Sequence, residues 1–149
     1  MSVIIRPAVQ GDEIAIHRLI CGLADFEKAP LEVTNSVHDL RVHLFEEEVC
    51  HALVCELENK VVGFALYYFS YSTWKGKCLY LEDFYVEPEL RGLGYGSLLF
   101  DAVVSIAQKK DVKRMDWQVL EWNVGAVKFY ESKKAILDGE WINGRLFFD

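Results

Sequence analysis

The segment richest in possible chemistry is Arg91-Gly92-Leu93-Gly94-Tyr95-Gly96-Ser97, which follows an aromatic apolar run and opens a helical pattern. Glycines at such a junction remove side chains, so backbone N–H groups can approach an anion while the helix N-terminus adds positive partial charge. A pyrophosphate would fit there, although the glycines alone ask for no more than a tight turn. Two familiar phosphate motifs are excluded. No Gly-x-x-x-x-Gly-Lys-Ser/Thr string occurs, and Gly-x-Gly-x-x-Gly fails because Ser97 or Leu99 stands where the third glycine is needed. Just upstream, Glu82 and Asp83 interrupt the apolar run. A carboxylate can take the proton of an ammonium group, whose pKa lies near ~10. Strand alternation is expected to send these two side chains to opposite faces, so that only one faces a given cleft. The four His and four Cys are scattered without Cys-x-x-Cys or His pairs at i, i+4, and no metal is expected.

The elements that must position these residues follow from periodicity. Val3–Arg6 reads as a strand stopped by Pro7. A helix follows, capped by Asp12, with Ile16, Leu19, Ile20 and Leu23 on one stripe and an end at Lys28-Ala29-Pro30. A second helix fits Asn35–Phe45, capped by Asn35 or Ser36. Ala52–Leu57 and Val61–Phe69 form a hairpin across Glu58-Asn59-Lys60, and Cys78–Val86 is a third long strand. The glycine turn opens a helix whose buried face is Leu98, Leu99, Ala102, Val103 and Ile106. Met115–Leu120 reads as a strand, and Asn123 is suited to cap a short helix carrying Phe129 and Tyr130. Ala135–Leu137 and Arg145–Phe148 are the last strand candidates, joined across Asn143-Gly144. This order gives an α/β (α+β) fold, with a mixed, mainly antiparallel sheet of about six to seven strands flanked by about four helices. Parallel neighbours are expected only where the central helix crosses over.

Composition sets the outer limits. With 149 residues, 52% hydrophobic and 26% charged, the chain is expected to form a single globular domain over 1–149. A net charge of −7 repels a phosphate backbone, so nucleic acid is not an expected partner, whereas cations are attracted. No apolar run reaches about 18 residues and no basic leader precedes an apolar core, so a cytoplasmic protein without membrane association is expected.

Arg91-x-x-Gly94-x-Gly96 after Asp83-Phe84-Tyr85-Val86 resembles the acyl-CoA-binding turn of the GNAT acetyltransferases, and Trp122-Asn123 ahead of Phe129-Tyr130 resembles that family's second cofactor segment. The strings Asp25-Phe26-Glu27-Lys28, Val62–Phe69, Tyr71-Ser72-Thr73-Trp74-Lys75-Gly76 and Tyr80-Leu81-Glu82-Asp83 are similar to the diamine (spermidine/spermine-like or thialysine-like) acetyltransferase branch. One departure is local, where Lys133-Lys134-Ala135 replaces a Gly-Ala and Lys134 would have to adopt the less favoured backbone conformation.

The resemblance implies acetyl-CoA as donor and a small cationic amine as acceptor. It implies that the backbone of Phe84, Tyr85 and Val86 pairs with the thioester and pantetheine arm. The N–H groups of Arg91, Gly92, Leu93, Gly94, Tyr95, Gly96 and Ser97 would hold the pyrophosphate, with Asn123 as a further contact. Tyr130 would be the general acid for the leaving thiolate, and Glu82 the group that accepts the amine proton, directly or through water. Glu27, Glu82 and Asp83, with Trp74 as a cation-facing aromatic, would bind the amine. A homodimer is also implied. Two other functions remain compatible: an acyl-CoA-binding sensor or regulatory module without turnover, and a protein-lysine acetyltransferase.

Overall fold

The computed structural model describes residues 2–148. The chain falls into two compact units, Met1–Trp117 and Gln118–Asp149.

The first unit is a five-stranded sheet in the order β1 (Val3–Pro7), β2 (His51–Leu57), β3 (Lys60–Ser72), β4 (Gly76–Val86) and β5 (Arg114–Asp116). All neighbours are antiparallel except β4 and β5, which are parallel with Cys78 opposite Arg114 and Tyr80 opposite Asp116. The helix between them, α3 (Tyr95–Lys109), makes the crossover that a parallel pair needs. The β2–β3 turn is made by Glu58 and Asn59, both at positive φ (51° and 67°), the handedness that suits a two-residue hairpin.

Helices α1 (Glu13–Phe26) and α2 (Val37–Arg41) cover one face of the sheet, where Ile16, Leu19, Leu40 and Leu44 pack with Ala52, Val54, Phe64 and Tyr85. The chain continues from α2 in wider turns through Glu46, with Glu47 N–H bonded to Val42 C=O at 2.8 Å. The other face carries α3, whose Phe100 ring lies 5.9 Å from that of Phe84 on β4. Leu99, Phe100, Val103 and Ala107 are its buried residues, whereas Leu98, expected in the core, is exposed. The buried stripe therefore runs one position further along the helix.

Two caps behave differently. Ser36 Oγ accepts the Asp39 N–H at 3.0 Å, a regular helix start. Asp12 stands at the α1 N-cap but does not cap it, because Arg6 at 2.7 Å and the Val9 N–H at 2.8 Å take its carboxylate. Those charge-assisted bonds outcompete a neutral amide of the first turn and hold the Asp12 carboxyl below its ordinary range.

The second unit contains α4 (Val124–Ser132) as its regular element. The strand expected at Met115–Leu120 shrinks to β5 at Arg114–Asp116, and the strands and hairpin expected at Ala135–Leu137 and Arg145–Phe148 are absent. The sheet thus has five strands rather than six or seven. The reason is physical: β-branched and aromatic residues favour a strand only beside another strand, and within this unit the segment has no ladder partner. Its Ile136 and Phe147 side chains are exposed.

Candidate active site

The acidic part of the site is built by an irregularity in β4. Leu66 on β3 pairs with Asp83, but the next residue, Tyr67, pairs with Leu81, so Glu82 is an extra residue in a β-bulge. Beyond it, Tyr68 is opposite Tyr80. Leu66 and Tyr68 share the face of Phe64, the one covered by α1, so Asp83 and Tyr80 face that side as well. Glu82, two residues from Tyr80, returns to the same face by ordinary alternation. The bulge therefore turns both carboxylates to one side, where an unbroken strand would have separated them as the sequence alone suggests.

The electrostatics agree. Burial first, then the charges of Glu82 and Glu27, push the Asp83 carboxyl up to about 7. Glu27, at the C-cap of α1, is itself raised by burial. It is placed there by a helix end in which Lys28 takes φ 63° and Ala29 N–H reaches back to Ala24 C=O at 2.8 Å. Asp83 thus senses the charges of both Glu82 and Glu27, and among the described residues none of the three pairs with a Lys or Arg. Trp74 is not brought to this group by its own strand. It sits 87% exposed at the β3–β4 hairpin tip, where Ser72 Oγ accepts its N–H, roughly 20 Å along β4 from Glu82.

Further along β4, Phe84, Tyr85 and Val86 pair with Ala65, Phe64 and Gly63 of β3. The ladder with β5 covers only Cys78 to Tyr80, so from Leu81 onward β4 has, among the described residues, no strand neighbour on its other edge. After Val86 the chain passes through a short turn at Pro88–Leu90 into the glycine segment. Gly92 and Gly94 adopt φ 81° and 88°, and Gly94 is the N-cap of α3 with no side-chain cap. The helical ladder begins with Leu98 N–H to Gly94 C=O at 3.1 Å, which places Tyr95 and Gly96 in the first turn of the helix. Gly96 differs from the other two: its φ is not positive, and an added Cβ would meet the Phe84 ring at 3.6 Å and Val86 Cγ2 at 3.9 Å, both ordinary contacts. The protein's own packing gives no reason for a glycine there.

Arg91 is engaged within the unit. Its Nε donates to Val86 C=O at 3.4 Å, and its guanidinium lies 4.7 Å from the centre of the Phe26 ring and 5.3 Å from that of Tyr85. It therefore links the start of the glycine turn to the end of α1, beside Glu27. Sequence reasoning missed Glu87. Its buried carboxylate accepts from Arg18 at 2.7 Å and lies 3.7 Å from Lys60, while Arg18 also bonds Val61 C=O, tying the exit of β4 to α1 and to the β2–β3 hairpin. A Glu-Pro pair at a strand end gives no sign of partners that distant in sequence.

In the second unit, Asn123 Oδ1 accepts the Ala126 N–H at 3.2 Å and caps α4, as its position suggests. Tyr130 lies on that helix with its ring 5.5 Å from Phe129, and its carbonyl accepts the N–H of Ala135 at 3.1 Å. Lys134 takes φ 65° at the helix end, the strained conformation that the missing glycine requires. Among the described residues no cluster of His, Cys, Asp and Glu is arranged for a metal ion, and no helix is long and apolar enough to cross a membrane.

A sheet with this crossover helix, an uncapped glycine helix start and an open strand edge beside it defines an acyl-transfer scaffold. The chain matches the acetyltransferase (GNAT) family over residues 20–134, and it belongs to that family; it is an acyltransferase. Acetyl-CoA is the usual donor of GNAT acetyltransferases. Among curated relatives, thialysine N-epsilon-acetyltransferase of Bos taurus is 43% identical over 142 residues, covering 89% of this chain and 84% of that protein. Spermidine/spermine N(1)-acetyltransferase-like protein 1 of Homo sapiens is 36% identical over 140 residues, 89% of this chain but 20% of that longer protein. Among solved structures, an integron cassette protein from the mobile metagenome of V. cholerae superposes with a TM-score of 0.79 at 26% identity, covering 100% of this chain and 94% of that one.

Proposed function

We propose that the chain, as one acetyltransferase domain over 1–149, moves an acetyl group from acetyl-CoA directly to a primary amine of a small cation such as thialysine or a polyamine. The observation that carries this reading is Asp83, a carboxyl raised by burial and by the charges of Glu82 and Glu27, in a trio that forms no ion pair with a Lys or Arg among the described residues. Holding like charges together costs free energy, and an incoming ammonium group removes that cost. The named relatives, one acting on thialysine, support the same class of acceptor.

The donor side fits the residues present. The head of α3, which has no side-chain cap at Gly94, suits a diphosphate. The bare Gly96 backbone, unexplained by internal packing, suits close approach of a ligand. The open edge of Phe84, Tyr85 and Val86 suits the amide-bearing arm of coenzyme A. When bound, the donor supplies an activated thioester acyl group. Backbone amides from Arg91 to Ser97 hold its diphosphate, Arg91 adds charge, and Asn123 contacts the arm.

On the acceptor side, Glu82, exposed on the bulge, accepts the ammonium proton directly or through water. Asp83, which titrates near neutrality, takes up negative charge as the cation arrives. Glu27 completes the acidic wall, whereas Trp74, at the far tip of the β3–β4 hairpin, is left out of it. Tyr130 donates the proton that the leaving thiolate requires. The exposed Trp141, Phe147 and Phe148 support a homodimeric assembly.

The test is a panel of free amines with acetyl-CoA, read by release of thiol. Tyr130→Phe is expected to lower turnover roughly 100-fold or more while acetyl-CoA affinity stays within a few-fold. Unchanged turnover removes the acid assignment, and absence of thiol release with every amine overturns the reading as a whole.

A further inference from the structure

Two tyrosines outside the site set share the sheet face of the acidic trio. Tyr68 and Tyr80 are register partners on β3 and β4, and their rings stack with centroids 5.3 Å apart at an interplanar angle of 29°. On β3, Tyr68 is two residues from Leu66, the partner of Asp83, so the tyrosine pair lies roughly 7 Å along the sheet from the carboxylates. On its other side Tyr80 is in register with Asp116 of β5, whose carboxylate Arg114 engages at 2.8 Å.

A pair that only filled space between strands would be covered. Both rings are half-buried instead, and among the described residues neither phenol has a hydrogen-bond partner and no Lys or Arg lies over either ring. The pair stays uncharged, because burial and then Glu82 push the Tyr80 hydroxyl up to about 12. Tyr80 is thereby excluded as a proton acceptor at neutral pH. What remains is two electron-rich faces in a negative field, an environment that favours a cation over an anion or a neutral polar group.

We infer that the Tyr68–Tyr80 pair is the subsite for the far end of the acceptor, where its ring faces hold a second ammonium group carried roughly 7 Å from the reacting nitrogen. That separation is about the reach of a four- or five-atom chain between two nitrogens. The inference rests on the amine acetylation proposed above and makes these tyrosines determinants of specificity for acceptors with two cationic groups.

The experiment compares kcat/KM, with acetyl-CoA saturating, for 1,4-diaminobutane and 1,5-diaminopentane against butylamine and pentylamine. The wild-type protein is expected to prefer each diamine over the monoamine of equal length. Tyr80→Leu and Tyr68→Leu, made separately, are each expected to reduce that preference about 5-fold, the loss of one cation–ring contact. Tyr80→Phe keeps the ring and is expected to keep the preference. A ratio of two substrates on one variant does not depend on the fraction of protein folded, and if one Leu variant does not fold, the other reports on the same pair. Leu variants with an unchanged ratio, a wild-type protein without diamine preference, or a Phe variant that loses the preference as fully as Leu each overturn the inference. Failure of the parent reading looks different: no thiol is released with any amine.

Discussion

Replacing Asp83 by Asn is expected to stabilise the protein at pH 8 and to leave it almost unchanged near pH 4. The unfolded chain ionises this carboxyl at its ordinary 3.8, whereas in the fold burial, Glu82 and Glu27 push it up to about 7. Between those values the folded state holds the proton more firmly than the unfolded one. Stability from this group is therefore fully present below about pH 4, declines as pH rises, and is gone once pH passes the folded value. At 1.36 kcal/mol per pH unit over roughly three units, the native sequence gives up on the order of 4 kcal/mol by pH 8. Asn has nearly the same shape and cannot ionise, so it escapes that loss. Urea unfolding of both proteins at pH 4, 6 and 8 measures the effect as a gap that opens with pH. For about 150 residues the gap at pH 8 corresponds to roughly 10 °C in the unfolding midpoint. The same variant should bind amines more weakly, a trade of function against stability. A gap of equal size at every pH would refute the reasoning. So would an Asn protein less stable than the native one at pH 8, because Asp83 would then be ionised and favourably paired.

Two further substitutions probe the turns. Lys134→Gly, at φ 65° after α4, is expected to stabilise by about 1 kcal/mol in thermal denaturation, because a side chain in the left-handed region costs roughly that much; no gain would show that the turn relaxes without strain. Gly94→Ala places a Cβ in open space but at φ 88°, so the cost of about 1–2 kcal/mol falls on the backbone that carries the α3 amides. Calorimetry should show acetyl-CoA affinity lowered about 10-fold with the amine KM little changed, and undiminished affinity would sever the link between this turn and the donor.

Much of the first unit is legible in the sequence. The stripe of Ile16 and Leu19, the apolar runs of β2 and β3 and the glycines before α3 are local patterns, and the structure forms them locally. Ser36 and Asn123 cap their helices because each has an amide three residues on and no stronger competitor. Asp12 has one, and Arg6, which takes it, is a neighbour only once β1 has folded back beside α1. The bulge was invisible for a different reason. A one-residue slip leaves alternation intact on each side of itself, so only the partner strand reveals that Glu82 and Asp83 look the same way. Glu87 needed Arg18, 69 residues earlier in the chain, to explain its burial. The Ile, Leu and Phe content of the tail from Ala135 signals a strand only where another strand is available to bond it, and within its unit there is none among the described residues.

The extra residue in β4 also divides that strand into two segments with independent phase. Residues 76–81 pair with Tyr67 to Ser72 in one phase, while 83–86 keep their own register with Gly63 to Leu66. Pairing the strand without the bulge, with every residue kept, would invert all side chains on one side of the break and turn Tyr80 to the face where Leu81 now lies. A single inserted peptide unit thus lets one ribbon turn two adjacent carboxylates to the same side and resume its alternation on both flanks.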